Sequence, residues 1–335
     1  MYSKAKPNEN TGNCQFYVNF ALYSRYLLIR EILNGGSSNT ILKMKTLKYY
    51  FHTLFAPSKD TALDTIRTKN IMDSFYFLVD KLKSNDRLFF VRFGDGEFVT
   101  LMQQDHRNYV FNENLEKELE ASFRIRDEEY LVACPINYPY DEFHAKGIYR
   151  QFSWQQEMID VMEQRNFPLD LVFENPCIFQ CLAVFKPKLL KGFLDDFIRK
   201  EKKMFIGSTD KEIAEKLYGH IDYYVRIPER NAYESIQEWW PEVERNVDKV
   251  DLVIPSAGST SNVISIRLWN SGVQCKVIDF GSIVDAMAQK NSRSWIRLQG
   301  HKVLQTLENP PKLSIGQQWA FLRKDIKFYF RNQVI

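Results

Sequence analysis

The sequence contains few residues of the kinds that build zinc sites or disulfide frameworks. Its five histidines are scattered, and its five cysteines are an odd number at no spacing typical of metal ligands. Two of these cysteines, Cys134 and Cys275, lie in apolar, strand-like runs, where a free thiol packs as a small hydrophobic group. We therefore expect no structural zinc, no disulfide framework and a reducing, cytoplasmic compartment.

Long apolar segments are also lacking. The first ten residues, MYSKAKPNEN, are polar and do not form the apolar core of a signal peptide. Residues 16–33 are fairly apolar, but Asn19, Arg25 and Arg30 interrupt them, so a transmembrane helix is not expected. The composition, with 44% hydrophobic and 26% charged residues, is that of a globular protein.

Charge of one sign does not dominate the chain as a whole. It has 45 basic and 42 acidic side chains, and this balance gives no indication of a nucleic-acid partner. Residues 1–52, however, hold seven basic side chains and two acidic ones, and an apolar helical stripe is formed by Met44, Leu47, Phe51 and Leu54. This segment either makes peripheral contact with the inner face of a membrane, or is a solvated basic segment whose stripe packs on the protein itself.

The body of the chain alternates between strand-like and helix-like segments. This order predicts an α/β fold with a Rossmann-like, mostly parallel sheet covered by helices on both faces, preceded by a helical N-terminal extension. The clearest unit is a βαβ unit with strands at 250–255 and 273–280 and a helix at 263–270. The other predicted strands are 87–93, 129–134, 203–207 and 223–227, and the other predicted helices are 97–104, 115–123, 210–218 and 233–247.

Two acidic residues follow the first predicted strand in the motif RFGDGE, residues 92–97. Gly94 and Gly96 permit a tight turn, and Asp95 and Glu97 can direct their carboxylates into one space. Carboxylate oxygens suit Mg²⁺ or Mn²⁺, which in turn neutralise a diphosphate. An alternative of similar weight is a glycine turn with an acidic helix cap. Arg92 either adds a charged contact to this site or forms a salt bridge elsewhere.

Two further strand ends carry small and hydroxyl-bearing residues. The motif GSTDKE at 207–212 fits a capping box formed by Thr209 and Glu212, but its strand–helix junction can also bind an anion. The loop PSAGSTSN at 255–262 lacks the GxGxxG and P-loop motifs, and its small residues favour a phosphate or ribose contact. The residues predicted to contact substrate are Arg92, Gly94 and Gly96 of the first motif, and Ser208, Ser256, Gly258, Ser259 and Thr260 of these two loops.

Three segments, taken in order, resemble the GT-D type glycosyltransferase family, a bacterial family formerly described as a domain of unknown function. They are RFGDGEF at 92–98, RNAYESI at 230–236, and SAGSTSN at 256–262 followed by VIDFGSI at 277–283. The resemblance implies a Rossmann-like fold and metal-dependent glycosyl transfer from a UDP-sugar, in the assembly of a polysaccharide, glycoprotein or other glycan. It divides the chain into an N-terminal extension (1–60), a glycosyltransferase domain (61–305) and a C-terminal tail (306–335).

The resemblance also implies roles for particular residues. The family's Asp-x-Glu motif corresponds to Asp95 and Glu97, which we expect to hold Mn²⁺ or Mg²⁺ and to be required for catalysis. The family's late acidic strand end corresponds to Asp279, a candidate catalytic base on the ligand side of the sheet. The expected partners are a nucleotide-sugar donor and a glycan or glycoconjugate acceptor. The alternative function is a non-catalytic nucleotide- or glycan-binding subunit of a glycan-assembly complex. Other candidate bases are Asp141, His144 and Glu234.

Overall fold

The computed structural model describes residues 66–105, 110–137 and 155–290, with the shorter segments 292–293, 295–296, 300–310 and 314–316. In these residues an all-parallel, six-stranded sheet lies between two layers of helices. The predicted α/β fold with helices on both faces is therefore confirmed. The predicted N-terminal extension and most of the predicted C-terminal tail lie outside the described residues, so their structure stays a prediction. Within the described part, no helix is both long and apolar enough to span a bilayer.

The strands and main helices follow one another along the described residues in nearly regular alternation. The strands are β1 (Arg67–Thr68), β2 (Leu88–Arg92), β3 (Tyr130–Ala133), β4 (Val172–Phe173), β5 (Lys203–Gly207), β6 (Tyr223–Arg226), β7 (Leu252–Ser256) and β8 (Lys276–Ile278). The helices are α1 (Ile71–Ser84), α2 (Asp95–Leu101), α3 (Glu113–Arg124), α4 (Gln155–Gln164), α5 (Ile178–Phe185), α6 (Pro187–Phe197), α7 (Lys211–Tyr218), α8 (Ile236–Asn246), α9 (Thr260–Ser271) and α10 (Ile283–Met287).

The strand order of the main sheet is β3-β2-β8-β7-β5-β6. Strands β1 and β4 form a second, two-stranded parallel sheet, whose end meets β3 where Glu174 N donates to Val132 O at 3.0 Å. The residues of β3 and β5 are buried throughout, as expected for a parallel sheet with both faces covered. Because all six strands run in one direction, their carboxyl ends lie at one edge of the sheet.

Alternate residues of each strand pack into two separate hydrophobic cores. In β2, Phe89 and Val91 pack with α2, α3, α4, α8 and α9, whereas Leu88 and Phe90 pack with α1, α5, α6, α7 and α10. Phe123 of α3 is central to the first core, since its ring contacts those of Phe93, Phe98, Phe167 and Phe173. The helices that follow β2 and β7 therefore lie on the same face of the sheet.

Three helices, α2, α3 and α9, begin earlier than the sequence pattern predicts, and the changes in α2 and α9 affect the site. Helix α2 begins at Asp95, so that both acidic residues of the RFGDGE motif lie in its first turn. Helix α9 begins at Thr260 and is preceded by the N-cap residue Ser259, so part of the predicted small-residue loop is helical. It ends at Ser271 and is followed by the C-cap residue Gly272, which has a left-handed φ of +73°. The predicted βαβ unit is confirmed, because β7 and β8 pair in parallel.

Candidate functional site

Three of the predicted turns lie at the carboxyl edge of the sheet. Strands β2, β8, β7 and β5 are neighbours in that order, and the turns after β2, β7 and β5 contain the RFGDGE, PSAGSTSN and GSTDKE motifs. Pairing of Gly207 with Ser256 brings the ends of β5 and β7 level with each other. This is the edge at which open, parallel α/β sheets bind their ligands.

The two acidic residues of the first motif have different surroundings. Glu97 is only 9% exposed, and its Oε2 accepts a hydrogen bond from the Gly94 N–H at 2.7 Å. This bond caps α2, so the acidic-cap interpretation is correct for one oxygen of Glu97. Asp95 is half-buried, and among the described residues its carboxylate has no hydrogen-bond or ion-pair partner. Asp95 is thus the carboxylate that is available to a ligand.

The second oxygen of Glu97 connects this turn to α9. The Ser259 hydroxyl donates to Glu97 Oε1 at 2.7 Å, although the two residues are 162 positions apart in the chain. Nearby, Asn262 Nδ2 donates to the backbone carbonyl of Arg92, the last residue of β2, at 3.0 Å. Asp95 and Glu97 (the acid pair) and residues 255–262 (the small-residue loop) are separate motifs in the sequence. In the structure they are parts of one site.

The charge of Glu97 is unfavourable in this environment. Burial raises the pKa of the Glu97 carboxyl above its usual value, the Ser259 hydrogen bond opposes this rise, and the nearby Asp95 carboxylate adds to it. Two close carboxylates in a buried setting are stabilised when a proton or a cation reduces their repulsion. The electrostatics of the turn therefore favour a positively charged ligand.

A third acidic residue, Asp279, lies just beyond β8 and is paired with Arg92. Asp279 is 7% exposed, and its Oδ1 accepts the Gly281 N–H at 2.6 Å and lies 3.6 Å from Nη1 of Arg92. Arg92 Nε also donates to the Pro176 carbonyl at 2.6 Å. Burial raises the pKa of Asp279, while the Arg92 charge opposes the rise. Of the two roles that the sequence leaves open for Arg92, the structure shows the salt bridge.

The remaining predicted contact residues lie along the same edge with differing exposure. Ser208 and Ser256 are half-buried, Gly258 is exposed, and Thr260, the first residue of α9, is buried. Their contacts with substrate stay a prediction. The predicted capping box of Thr209 and Glu212 is wrong, because α7 begins at Lys211 after the N-cap residue Asp210, which leaves Thr209 outside the helix. Thr209 is instead buried, and its carbonyl accepts the Tyr224 hydroxyl at 3.0 Å.

The donor atoms of the site suit a divalent ion that is shared with a substrate. In the described ranges no three His, Cys, Asp or Glu residues form a group able to enclose a metal. Mg²⁺ is commonly bound by one or two carboxylates that leave its other positions to water and substrate phosphates. The Asp95 carboxylate, which has no partner among the described residues, fits this role. The Glu97 carboxylate, with about four lone-pair sites, is not saturated by the hydrogen bonds from Gly94 and Ser259. Asp95 and Glu97 are thus the residues that would hold such an ion.

Two residues of the site were not predicted from the sequence. Asn262 ends the PSAGSTSN motif, where an asparagine in a helix's first turn gives only a weak signal of a long-range contact. Gly281 lies in the VIDFGSI segment, and the packing of the Arg92 guanidinium over it leaves no local sequence pattern. Of the other candidate bases, Glu234 is exposed in the turn before α8. Asp141 and His144 lie outside the described residues.

Comparison with known proteins agrees with this arrangement. The sequence matches the family described as glycosyltransferase GT-D fold over residues 90–303. Two similar structures, of the domain of unknown function 1792, one of them described as having a distinct glycosyltransferase fold, are 18% identical with a TM-score of 0.52, covering 68% of this chain and 82% of theirs. A structure described as a new glycosyltransferase (DUF1792) from Streptococcus sanguinis is 18% identical with a TM-score of 0.50, covering 67% of this chain and 84% of its own. A search of curated protein sequences gives no match. Because the family match spans most of the chain, the protein belongs to the GT-D-fold glycosyltransferase family.

Proposed function

We propose that this protein is a metal-dependent glycosyltransferase that moves a sugar, of the hexosyl type, from a UDP-sugar or a related nucleotide sugar to a glycan, glycoprotein or glycolipid. The observation that carries this proposal is the Ser259–Glu97 hydrogen bond of 2.7 Å. It places the acid pair beside the small-residue loop at the amino end of α9. A cation site and a phosphate site at one sheet edge are what transfer from a nucleoside diphosphate requires.

The donor is recognised through its diphosphate. Asp95 and Glu97 would hold Mn²⁺ or Mg²⁺, which supplies Lewis-acid stabilisation of the negative charge on the departing nucleoside diphosphate. Ser256 and Gly258 allow the ligand close to the backbone, and the helix dipole of α9 favours the phosphate charge. Ser208, on the neighbouring strand end, extends this surface toward β6.

Asp279 is the candidate base for the acceptor hydroxyl. It lies beyond the end of β8, between the strands that carry the acid pair and the small-residue loop. Burial raises its pKa, which moves a carboxyl toward the range in which it accepts a proton near neutral pH. Arg92 holds this carboxyl in place and supplies positive charge next to the donor site.

The cellular setting is proposed from the sequence alone. We propose that the enzyme works in the cytoplasm and that the basic residues 1–52 make peripheral contact with the membrane's inner face. Sedimentation with anionic liposomes, compared between the full chain and a chain lacking residues 1–60, tests the contact. Equal sedimentation of the two proteins would contradict it.

A panel of nucleotide sugars tests the activity directly. The full chain is incubated with each donor and Mn²⁺, with and without a glycan acceptor, and the released nucleoside diphosphate is measured. We expect release with one donor class, strict dependence on the metal, and loss of release with a chelator. Binding without release, seen as a ligand-dependent rise in melting temperature, would instead identify a non-catalytic binding subunit.

The Asp95→Asn variant separates catalysis from folding. We expect release to fall by at least about 100-fold, since Lewis-acid stabilisation is worth several kcal/mol. The melting temperature should stay close to that of the wild type, because the Asp95 carboxylate has no partner among the described residues.

The matched control is Asp86→Asn, the same substitution at an exposed position before the opposite end of β2, which should leave both quantities unchanged. Glu97→Gln should lose activity with little loss of stability, because the Gln oxygen can still accept from the Gly94 N–H and the Gln NH₂ can donate to the Ser259 hydroxyl. Full activity in Asp95→Asn would refute the metal assignment.

A further inference from the structure

Two side chains at the start of α9 are hydrogen-bonded to the turn between β2 and α2. Ser259 donates its hydroxyl to Glu97 Oε1 at 2.7 Å, and Asn262 Nδ2 donates to the Arg92 carbonyl at 3.0 Å. Ser259 is 3% exposed and Asn262 is 1% exposed. The two residues are three positions apart on one helix and therefore point from the same face. Asn262 therefore contacts this turn at its beginning, at Arg92, and Ser259 contacts it at the second carboxylate, that of Glu97.

Neither side chain has the role that its position in the helix would ordinarily give it. A serine at an N-cap usually accepts a hydrogen bond from the amides of the first helical turn, but Ser259 makes no such capping bond with its side chain. Asn262 is buried although its Oδ1 has no hydrogen-bond partner among the described residues. Burying an unpaired acceptor is unfavourable, so helix stability does not explain Asn262 at this position. What both contribute is a bond to the β2–α2 turn.

We infer that Ser259 and Asn262 are positioning residues for the metal-binding carboxylates. This inference rests on the proposed function, because it concerns the ion that Asp95 and Glu97 would hold. Ser259 fixes one oxygen of Glu97 while the Gly94 N–H fixes the other, so the plane of the carboxylate is set. Asn262 fixes the backbone at the end of β2, three residues before Asp95.

The assignment changes the role of Ser259. The sequence predicts that it contacts the phosphate or the ribose of the substrate directly, but its hydroxyl proton is donated to Glu97. A bond from a neighbouring side chain that orients a metal-binding carboxylate acts on metal affinity, and its removal typically costs about 10- to 100-fold in affinity or activity. Substrate contact alone would change the KM for the donor without changing binding of the ion itself.

Manganese binding gives a readout that does not depend on turnover. Free Mn²⁺ is measured by electron paramagnetic resonance during titration of the full chain without donor, for the wild type, Ser259→Ala and Ser259→Thr. We expect Ser259→Ala to weaken Mn²⁺ binding by about 10-fold or more, and Ser259→Thr, which keeps the hydroxyl, to restore most of it. The Mn²⁺ concentration for half-maximal transfer should shift in parallel.

The matched control is Ser265→Ala. Ser265 is a fully buried serine of the same helix, and its hydroxyl donates to the Ser261 carbonyl at 2.8 Å, within α9 itself. This variant should bind Mn²⁺ as the wild type does. Asn262→Leu removes the bond to Arg92 together with the unpaired acceptor, so it should stay folded, as judged by melting temperature, and still lose Mn²⁺ affinity.

The outcomes distinguish this inference from the proposed function. If the wild type binds Mn²⁺ but does not release nucleoside diphosphate from any donor, the proposed transferase activity is contradicted. The Mn²⁺ affinities of the variants still test the positioning role in that case. Equal Mn²⁺ affinity in Ser259→Ala and Ser265→Ala overturns the positioning role, whether or not the protein is a transferase. An effect of Ser259→Ala on donor KM alone, with Mn²⁺ binding unchanged, would return Ser259 to direct substrate contact.

Discussion

Replacing Gly281 with alanine tests how Arg92 and Asp279 are held together beside the site. Gly281 has φ +61°, and a Cβ atom there would lie 1.8 Å from Nη1 and 2.6 Å from Cζ of Arg92. Both distances are far shorter than van der Waals contact, so the guanidinium would have to move. It would then lose the 2.6 Å hydrogen bond to the Pro176 carbonyl and the 3.6 Å ion pair with Asp279.

The expected loss of stability in Gly281→Ala has two components. Alanine in the left-handed region costs about 1–2 kcal/mol. Loss of a hydrogen bond made by a charged group costs about 1.5–3 kcal/mol more. We therefore expect Gly281→Ala to lower the free energy of unfolding by about 3 kcal/mol. Gly272→Ala separates the two effects, because Gly272 has φ +73° but no atom within 4 Å of its Cβ position. That variant should lose only about 1 kcal/mol.

The loss in Gly281→Ala should also depend on pH. Burial already raises the pKa of Asp279, and the Arg92 charge that opposes this rise would be displaced. An acid with a raised pKa in the folded state contributes most stability below its unfolded pKa, and this contribution is lost as pH rises through the folded pKa. A further rise in the pKa of Asp279 therefore lowers the variant's free energy of unfolding more at pH 7 than near pH 4, where an aspartate ordinarily titrates.

Urea unfolding, followed by tryptophan fluorescence at both pH values, measures these differences. The wild type, Gly281→Ala and Gly272→Ala are compared at the same ionic strength, and the free energies are taken from the linear dependence on urea. A Gly281→Ala variant that is no less stable than Gly272→Ala at either pH would refute the argument that Arg92 must pack over Gly281. A loss of equal size at pH 7 and pH 4 would refute the role assigned to the Asp279 charge.

Two further substitutions test the packing that supports the site. Arg87 lies 3.7 Å over the Trp269 ring and donates from Nε to the Val273 carbonyl at 3.0 Å, so Arg87→Lys, which loses the planar fork, should lower the free energy of unfolding by about 2 kcal/mol. A change below about 0.5 kcal/mol in urea unfolding would contradict this. Phe123→Ala should cost about 3–5 kcal/mol because its ring is the centre of an aromatic cluster. Tyr76→Ala, at a 55% exposed ring, should change the same quantity by less than about 0.5 kcal/mol, and equal effects of the two would contradict the assignment of the core.

Local sequence patterns were sufficient to predict most strands of the main sheet. Apolar runs between turn residues predict β5 at its observed bounds, and they predict β2 and β3 to within one residue at each end. Helices α1, α4, α5, α6 and α10 were not predicted. Two of them, α1 and α5, were missed for different reasons. The apolar residues of α1 are spaced at helical intervals, a signal that was available. In α5 nearly every residue is apolar, so its pattern does not distinguish a helix from a buried strand.

The sequence predicts the individual residues of the candidate site but not how they come together. The motifs identify Asp95, Glu97 and Ser259 as chemically suited side chains, since residue type and position after a strand are local properties. Which of them meet depends on the order of strands in the sheet. Strand β8 lies between β2 and β7, although it follows β7 in the chain, and no local pattern specifies that placement.

Residue patterns along the chain thus specify the alternation of strands and helices, the glycine-containing acidic turn and the small-residue segment, because each depends on neighbours in the chain. The folded structure was needed to show that Glu97 accepts from Ser259, that Arg92 pairs with Asp279, and that the Asp95 carboxylate has no partner among the described residues. The first two contacts join segments separated by more than 150 positions, and such contacts depend on how the helices pack on one face of the sheet.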